Sequence, residues 1–229
     1  VLDALSGVRD PELDEPITDL EFVSALEIED DEVDVRLRLP TYFCAPNFSY
    51  LMVADAKEAV LSVPGVRSAR VVLEDHYASE EINSGVNDKR GFEGAFEGET
   101  EGPDLEELRT TFRRKSFVSR QEQLCRTLLS EGRTPADLAE MVLGDAPVSG
   151  EFDTYLERRA ELGLDISEEA PLVVDPDGKR VPKEAVVEHL RFARLTRVSI
   201  EGNAGLCRGL LATRYGTIEK DPEEEEEAI

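Results

Sequence analysis

Tryptophan is missing from this chain, histidine and methionine occur twice each, and cysteine three times. Each scarcity closes off a class of protein. Three cysteines, odd in number and without a close pair, argue against a disulfide framework, and they match no local cluster-binding spacing. There is no Gly-rich phosphate loop, no Walker-type lysine and no Ser–His–Asp pattern. Positive charge is short as well: 26 Lys and Arg face 51 Asp and Glu, for a formal net charge of −25. Phosphate backbones and anionic lipid surfaces repel such a chain. Its one basic cluster, Arg109 to Arg120 with Arg113, Arg114 and Lys115, alternates with apolar residues at helical spacing and reads as a solvated helix face. No apolar run reaches membrane-spanning length, and no secretory signal is visible. The expectation is a protein of a reducing cytoplasm with no nucleic-acid or membrane partner.

What is present supports a sizeable core: 40% of the 229 residues are hydrophobic. The expected class is α+β, a small α/β domain with a three-stranded sheet followed by a mostly helical region. Val1 to Val8 reads as the end of a helix closed by Gly7. Phe22 to Ile28 and Val33 to Leu39 read as a hairpin across the acidic turn Glu29 to Glu32, and Val66 to Leu73 as a third strand. This unit is expected to span residues 1–83. Residues 84–103, with glycines at 85, 91, 94, 98 and 102, read as a linker or mobile loop. Residues 104–216 read as helical: Asp104 as a cap, Ser119-x-x-Glu122 as a capping box, Thr134-Pro135 as an N-cap followed by proline, and Gly132 and Gly144 as stops. Phe152 to Leu162 and Pro182 to Leu195 read as further helices, Arg197 to Ile200 as strand, and Asn203 as the cap of a last helix. Residues 217–229, with the run Glu223 to Glu227, read as a disordered acidic tail.

The stretch from Leu39 to Tyr50 is where chemistry is expected. It joins an alternating strand to a helix striped by Phe48, Met52, Ala56, Ala59, Val60 and Val63. Cys44 therefore falls in a strand-to-helix turn, with Pro46 two residues on and Asn47 or Ser49 as the expected cap. Unpaired N–H groups at a helix start favour a thiolate, the form that binds metal or attacks. The competing reading is a small buried hydrophobe, the usual fate of a free cysteine.

Asp10-Pro11-Glu12-Leu13, then Pro16-Ile17, a hydrophobic strand and the cysteine turn after the second strand resemble the SufT/PaaD-type iron–sulfur assembly domain, over about residues 1–83. The resemblance implies Cys44, Asp10 and Glu12 as metal ligands and Thr41 as a group bonding the ligands from behind. Ala45 and Pro40-Thr41 depart from the family, which has proline directly after the cysteine and a threonine pair before it. It further implies a non-enzymatic maturation factor, assisting assembly or delivery of an iron or iron–sulfur centre, held transiently, to a client metalloprotein. A multicomponent oxygenase is the expected client, and a homodimer is compatible. An adaptor or chaperone-like module that has lost metal chemistry is the alternative, and a thiol enzyme lacks an obvious base. The helical extension is read as the client-docking part.

Other residues weigh less. His76, just past the third strand, is a weaker candidate ligand, and His189 reads as structural. Cys125 lies on an apolar stripe. Cys207, after Gly205 in what reads as the first turn of the last helix, is the candidate for a second functional thiol.

Overall fold

The computed structural model describes residues 1–96 and 105–216. The tail from Thr217 and the acidic run within it lie outside the described residues, as do Asp104 and the end of the expected linker. The chain packs as two units, Val1–Gly102 with Asn203–Ile229, and Pro103–Gly202.

In the first unit α1 (Leu2–Ser6) ends at Gly7. Strands β1 (Val23–Glu29) and β2 (Glu32–Arg38) form an antiparallel hairpin, and β3 (Ser68–Glu74) pairs parallel to β2, giving the order β1-β2-β3. A parallel pair needs a crossover, and α2 (Pro46–Leu61) supplies it. Val33, Val35 and Leu37 alternate inward from β2, with Val71 and Leu73 from β3 on the same core. The inner face of α2 carries Met52, Ala56 and Val60 as its periodicity predicts, with Leu51 and Val53 buried as well, while Phe48 and Ala59 are only half-buried. Ala45, not Asn47 or Ser49, is the N-cap of α2, and no side chain caps it; Pro46 takes the first helical position, where its missing N–H costs nothing.

Of the expected linker over residues 84–103, the described part to residue 96 is not open chain but belongs to a folded stretch, residues 79–96. They fold as α3 (Ser79–Asn87) and α4 (Gly91–Ala95). The reason lies in two asparagines one helical turn apart. Asn83 receives the Leu73 N–H at 2.8 Å and donates to the Leu73 carbonyl at 3.1 Å. Asn87 does the same for Val71, at 3.3 and 2.7 Å. The open edge of β3 is thereby closed by side-chain amides in place of a fourth strand. Lys57 of α2 then binds the Val86 carbonyl, at the end of α3, at 3.2 Å. Gly85 is required between the asparagines, because a Cβ there would lie 2.6 Å from the Ala95 methyl.

The second unit is built on α5 (Leu105–Ser130), α6 (Pro135–Glu140), α7 (Gly150–Glu161) and residues 186–202 of α8 (Val186–Tyr215). Its core includes Phe117, Leu124, Cys125, Leu128, Leu138, Tyr155 and Leu172. Residues 171–174 are held by single bridges rather than in a strand. Tyr155, fully buried, donates to the Leu172 carbonyl at 2.7 Å and accepts from Gln121 and Arg159, each at 3.1 Å. Thr134 and Asp137 form the capping box of α6, and Gly132, at φ +99°, follows the end of α5. α6 stops at Glu140, short of Gly144.

Two expected helix boundaries do not exist. Ser119 and Glu122 lie inside α5, both buried, and Glu122 pairs with Arg197 instead of capping a terminus. Arg197 to Ile200 are helical and α8 runs unbroken through Asn203: Arg197 bonds Glu201 at 2.6 Å one turn on, and packing overrides the β-branched Val198 and Ile200.

Candidate functional site

Because β2 and β3 are parallel, their carboxyl ends lie at the same end of the sheet. Ligands favour that end of parallel α/β arrangements. The chain leaves β2 into the Cys44 turn and leaves β3 into Asp75-His76-Tyr77, so the two exits meet, and the Tyr77 N–H donates to the Tyr42 carbonyl at 3.1 Å.

Cys44 is half-buried. Thr41 Oγ1 lies 3.4 Å from its sulfur, where either atom can donate, and accepts the Phe43 N–H at 3.2 Å. That filled lone pair leaves the hydroxyl hydrogen free to turn to the sulfur. His76 Nε2 lies 2.8 Å from the Cys44 carbonyl, and its Nδ1 accepts the Ala78 N–H at 3.1 Å. Nδ1 therefore carries no proton and Nε2 donates to the carbonyl. Burial first, and the Arg214 charge after it, hold this imidazole below its ordinary value and neutral. With both ring nitrogens engaged, His76 braces the turn; it offers no lone pair to a metal. Ser49, fully buried, donates to the Ala45 carbonyl at 3.0 Å and lies 3.4 Å from the same Nε2.

The acidic element folds as a tight loop. Asp10 Oδ1 accepts the N–H groups of Glu12 at 2.8 Å and Leu13 at 2.9 Å, while Asp14 N–H returns to the Asp10 carbonyl. Polar as it is, the loop turns Asp10 inward: the residue is 9% exposed, and burial pushes its carboxyl up to about 6 against those two hydrogen bonds. Glu12 points outward.

The last turns of α8 complete this region. Asn203 donates to Glu12 at 3.4 Å, and Arg208 pairs with Glu15. Cys207, between them on the same helix face, feels Asp10, Cys44 and Glu12; burial first and then those three push its thiol up to about 11. It does not sit in the first turn of a helix, and no helix start lowers its pKa; it lies deep within α8. Arg214 donates to the carbonyls of Leu39 at 3.1 Å and Asp75 at 2.7 Å, joining both strand exits, and Arg38 stacks 4.8 Å over the Tyr215 ring.

Sequence reasoning missed this clamp, and it also missed an aromatic group. Tyr42, Phe43 and Tyr77 lie with ring centres 5.1 to 6.3 Å apart beside Cys44, and Phe43 is 76% exposed. The signal was available: an aromatic residue pair, Tyr42-Phe43, and His76-Tyr77 each follow a strand of the parallel pair. Cys125 lies in the second unit, fully buried, with its thiol pushed up to about 12 by burial and then Glu122, and it packs as a hydrophobe. His189 bonds Gln121 at 2.9 Å within the polar network around Tyr155. Among the described residues no three His, Cys, Asp or Glu side chains are set to hold one metal ion, and no helix is long and apolar enough to cross a membrane.

A family model described as iron–sulfur cluster assembly protein matches residues 1–72, which hold the acidic loop, the sheet and the Cys44 turn. An uncharacterized protein of Methanocaldococcus jannaschii is 36% identical over 91 residues, a stretch covering 39% of this chain and 93% of that protein. No solved structure matches. The chain belongs to the iron–sulfur cluster assembly protein family, and its role lies in that process. Cys207 and the second unit lie outside the matched residues.

Proposed function

We propose that the chain is a non-enzymatic factor that takes an iron or iron–sulfur unit as cargo at Cys44 and passes it to a client metalloprotein. One observation carries the reading: on α8 Cys207 lies between Asn203, bonded to Glu12, and Arg208, paired with Glu15, so this second thiol is held against the acidic loop that precedes the Cys44 turn. Thiolates and carboxylates suit ferrous iron, and thiolates suit iron–sulfur units. In this reading Cys44 is the first ligand, Thr41 bonds its sulfur, and Asp10, Glu12 and Cys207 are further donors. Without a cation, burial first and then the nearby carboxylates push the Cys207 thiol up; a bound cation works against both. An incomplete donor set fits a carrier, because a closed site would not release its cargo. The exposed rings of Tyr42, Phe43 and Tyr77 are the proposed client contact, since aromatic anchors carry much of the energy of protein interfaces. A multicomponent oxygenase as client rests on the family resemblance alone.

The test is anaerobic. The reduced full chain is titrated with ferrous iron and sulfide, followed by its charge-transfer absorption, and then mixed with an apo acceptor bearing a four-cysteine cluster site. Cys44→Ser is expected to abolish loading and transfer, with unfolding unchanged because the side chain is half-buried. Cys207→Ser is expected to weaken loading about tenfold or more, the range seen when supporting groups of a metal site are removed. Unchanged loading in Cys44→Ser overturns the carrier reading.

The adaptor reading has one observation in its favour, the lack of a three-donor cluster among the described residues. It predicts that Phe43→Ser abolishes client maturation while Cys44→Ser does not.

A further inference from the structure

In the second unit a cleft of about 320 Å³ opens between α5 and α8. Its floor is Cys125, Leu129 and Leu190. One wall is the Glu122–Arg197 ion pair, and the rim carries Arg126 and Arg194. The spacing is helical: residues 122, 125, 126 and 129 share a face of α5, and 190, 194 and 197 share a face of α8.

The charges are what single this cleft out. In a chain with 51 acids to 26 cations, an arginine has carboxylates in excess to choose from. Arg114 and Arg208 each find one, and Arg67 finds two. Arg197 has two, Glu122 and Glu201. Arg126 and Arg194 have none among the described residues. Two uncommitted guanidinium groups, one from each helix, thus rim the same cleft above an apolar floor. Among the described residues the only acid lining it is Glu122, whose charge is already met by Arg197.

A guanidinium is a planar fork of donors matched to carboxylate and phosphate oxygens. A cleft of this volume lies at the small end of the range for small-molecule sites, which are typically apolar with a few placed polar groups. We infer that the α5–α8 cleft binds a small organic anion, its carboxylate or phosphate group held by Arg126 and Arg194 and its short apolar body against Leu129 and Leu190. The ligand is a small metabolite-sized acid; a peptide would need a longer groove. This site is independent of the cargo at Cys44.

The experiment uses the full chain at low, matched ionic strength, because rim arginines are screened by salt. Hexanoate, hexyl phosphate, inorganic phosphate and neutral hexanol are titrated by calorimetry, with methyl NMR shifts of Leu129 and Leu190 as the second readout. At least one of the two organic anions is expected to bind about tenfold or more tightly than both inorganic phosphate and hexanol, and to shift those methyls; which one does so tells carboxylate from phosphate. Arg126→Gln with Arg194→Gln is expected to lower that affinity about tenfold or more, with thermal unfolding and iron–sulfide loading unchanged. Cys44→Ser is expected to bind the anion as the parent does, which separates this inference from the carrier reading. Equal affinity in the double variant, equal binding of inorganic phosphate, or unmoved leucine methyls would overturn it.

Discussion

Cys44 is held from two sides, at its sulfur by Thr41 and at its carbonyl by His76. These hydrogen-bonding neighbours place the thiol without sealing it and without adding charge. Elsewhere single residues serve stability instead. Tyr155 is the clearest: one hydroxyl accepts from Gln121 and Arg159 and donates to the Leu172 carbonyl. In Tyr155→Phe the ring stays packed, Gln121 keeps its bond to the Val174 carbonyl and Arg159 its bond to the Pro171 carbonyl. The Leu172 carbonyl loses its donor, and one N–H each of Gln121 and Arg159 loses its acceptor. The expected cost is at least the roughly 1–3 kcal/mol of one unsatisfied buried group, read as a lower urea midpoint with an unchanged slope. A loss below the error of the measurement would mean that water reaches Leu172.

At the scale of elements, α3 does the work of a strand. Asn83 and Asn87 satisfy alternate backbone groups of β3, whose outer edge would otherwise be open. Asn83→Ala leaves the Leu73 N–H and carbonyl unpaired beneath a helix, at an expected cost of about 1–3 kcal/mol. Hydrogen exchange at Leu73 should accelerate well beyond that at Val33, which pairs with β3 from the inner strand; equal acceleration would show global rather than local loosening. The same region shows what a sequence can and cannot disclose. Alternation in Val33 to Leu39 and the stripe of α2 are local patterns, so the hairpin, the crossover helix and the Cys44 turn between them were legible. Asn83 and Asn87 bond to residues ten or more positions away, and their glycine-rich setting resembles a linker. Cys207 was misplaced for a related reason. Val198, Ile200, Gly202 and Asn203 suggest a break, whereas the continuity of α8 rests on packing and on the Arg197–Glu201 pair. Nothing in Asp-Pro-Glu tells that the Asp10 carboxylate turns inward to bind two N–H groups.

Over the whole molecule the excess of acids makes pH a sensitive probe, but most carboxylates titrate well below neutrality. Between about pH 8 and pH 5.5 few groups change, and His189 is one of them. It packs against Gln121 from α5, and Asp175 is the charge acting on it. Burial lowers its pKa, and Asp175 only partly offsets that. A base whose folded pKa lies below its unfolded value of about 6.5 binds more protons when unfolded. Its contribution is therefore fully present above pH 6.5 and is lost as pH falls from there through the folded value. Asp10, raised to about 6, acts in the opposite sense, losing stability as pH rises from its unfolded value towards 6, and it does so equally in parent and variant. The difference between parent and His189→Gln isolates the histidine, since the glutamine amide still donates to Gln121 Oε1. The parent is expected to lose roughly one to three degrees in Tm more than His189→Gln between pH 7.5 and pH 5.5. Parallel curves for the two proteins over that range would mean that His189 is protonated as readily in the fold as in the unfolded chain, and that its side chain is not buried against Gln121.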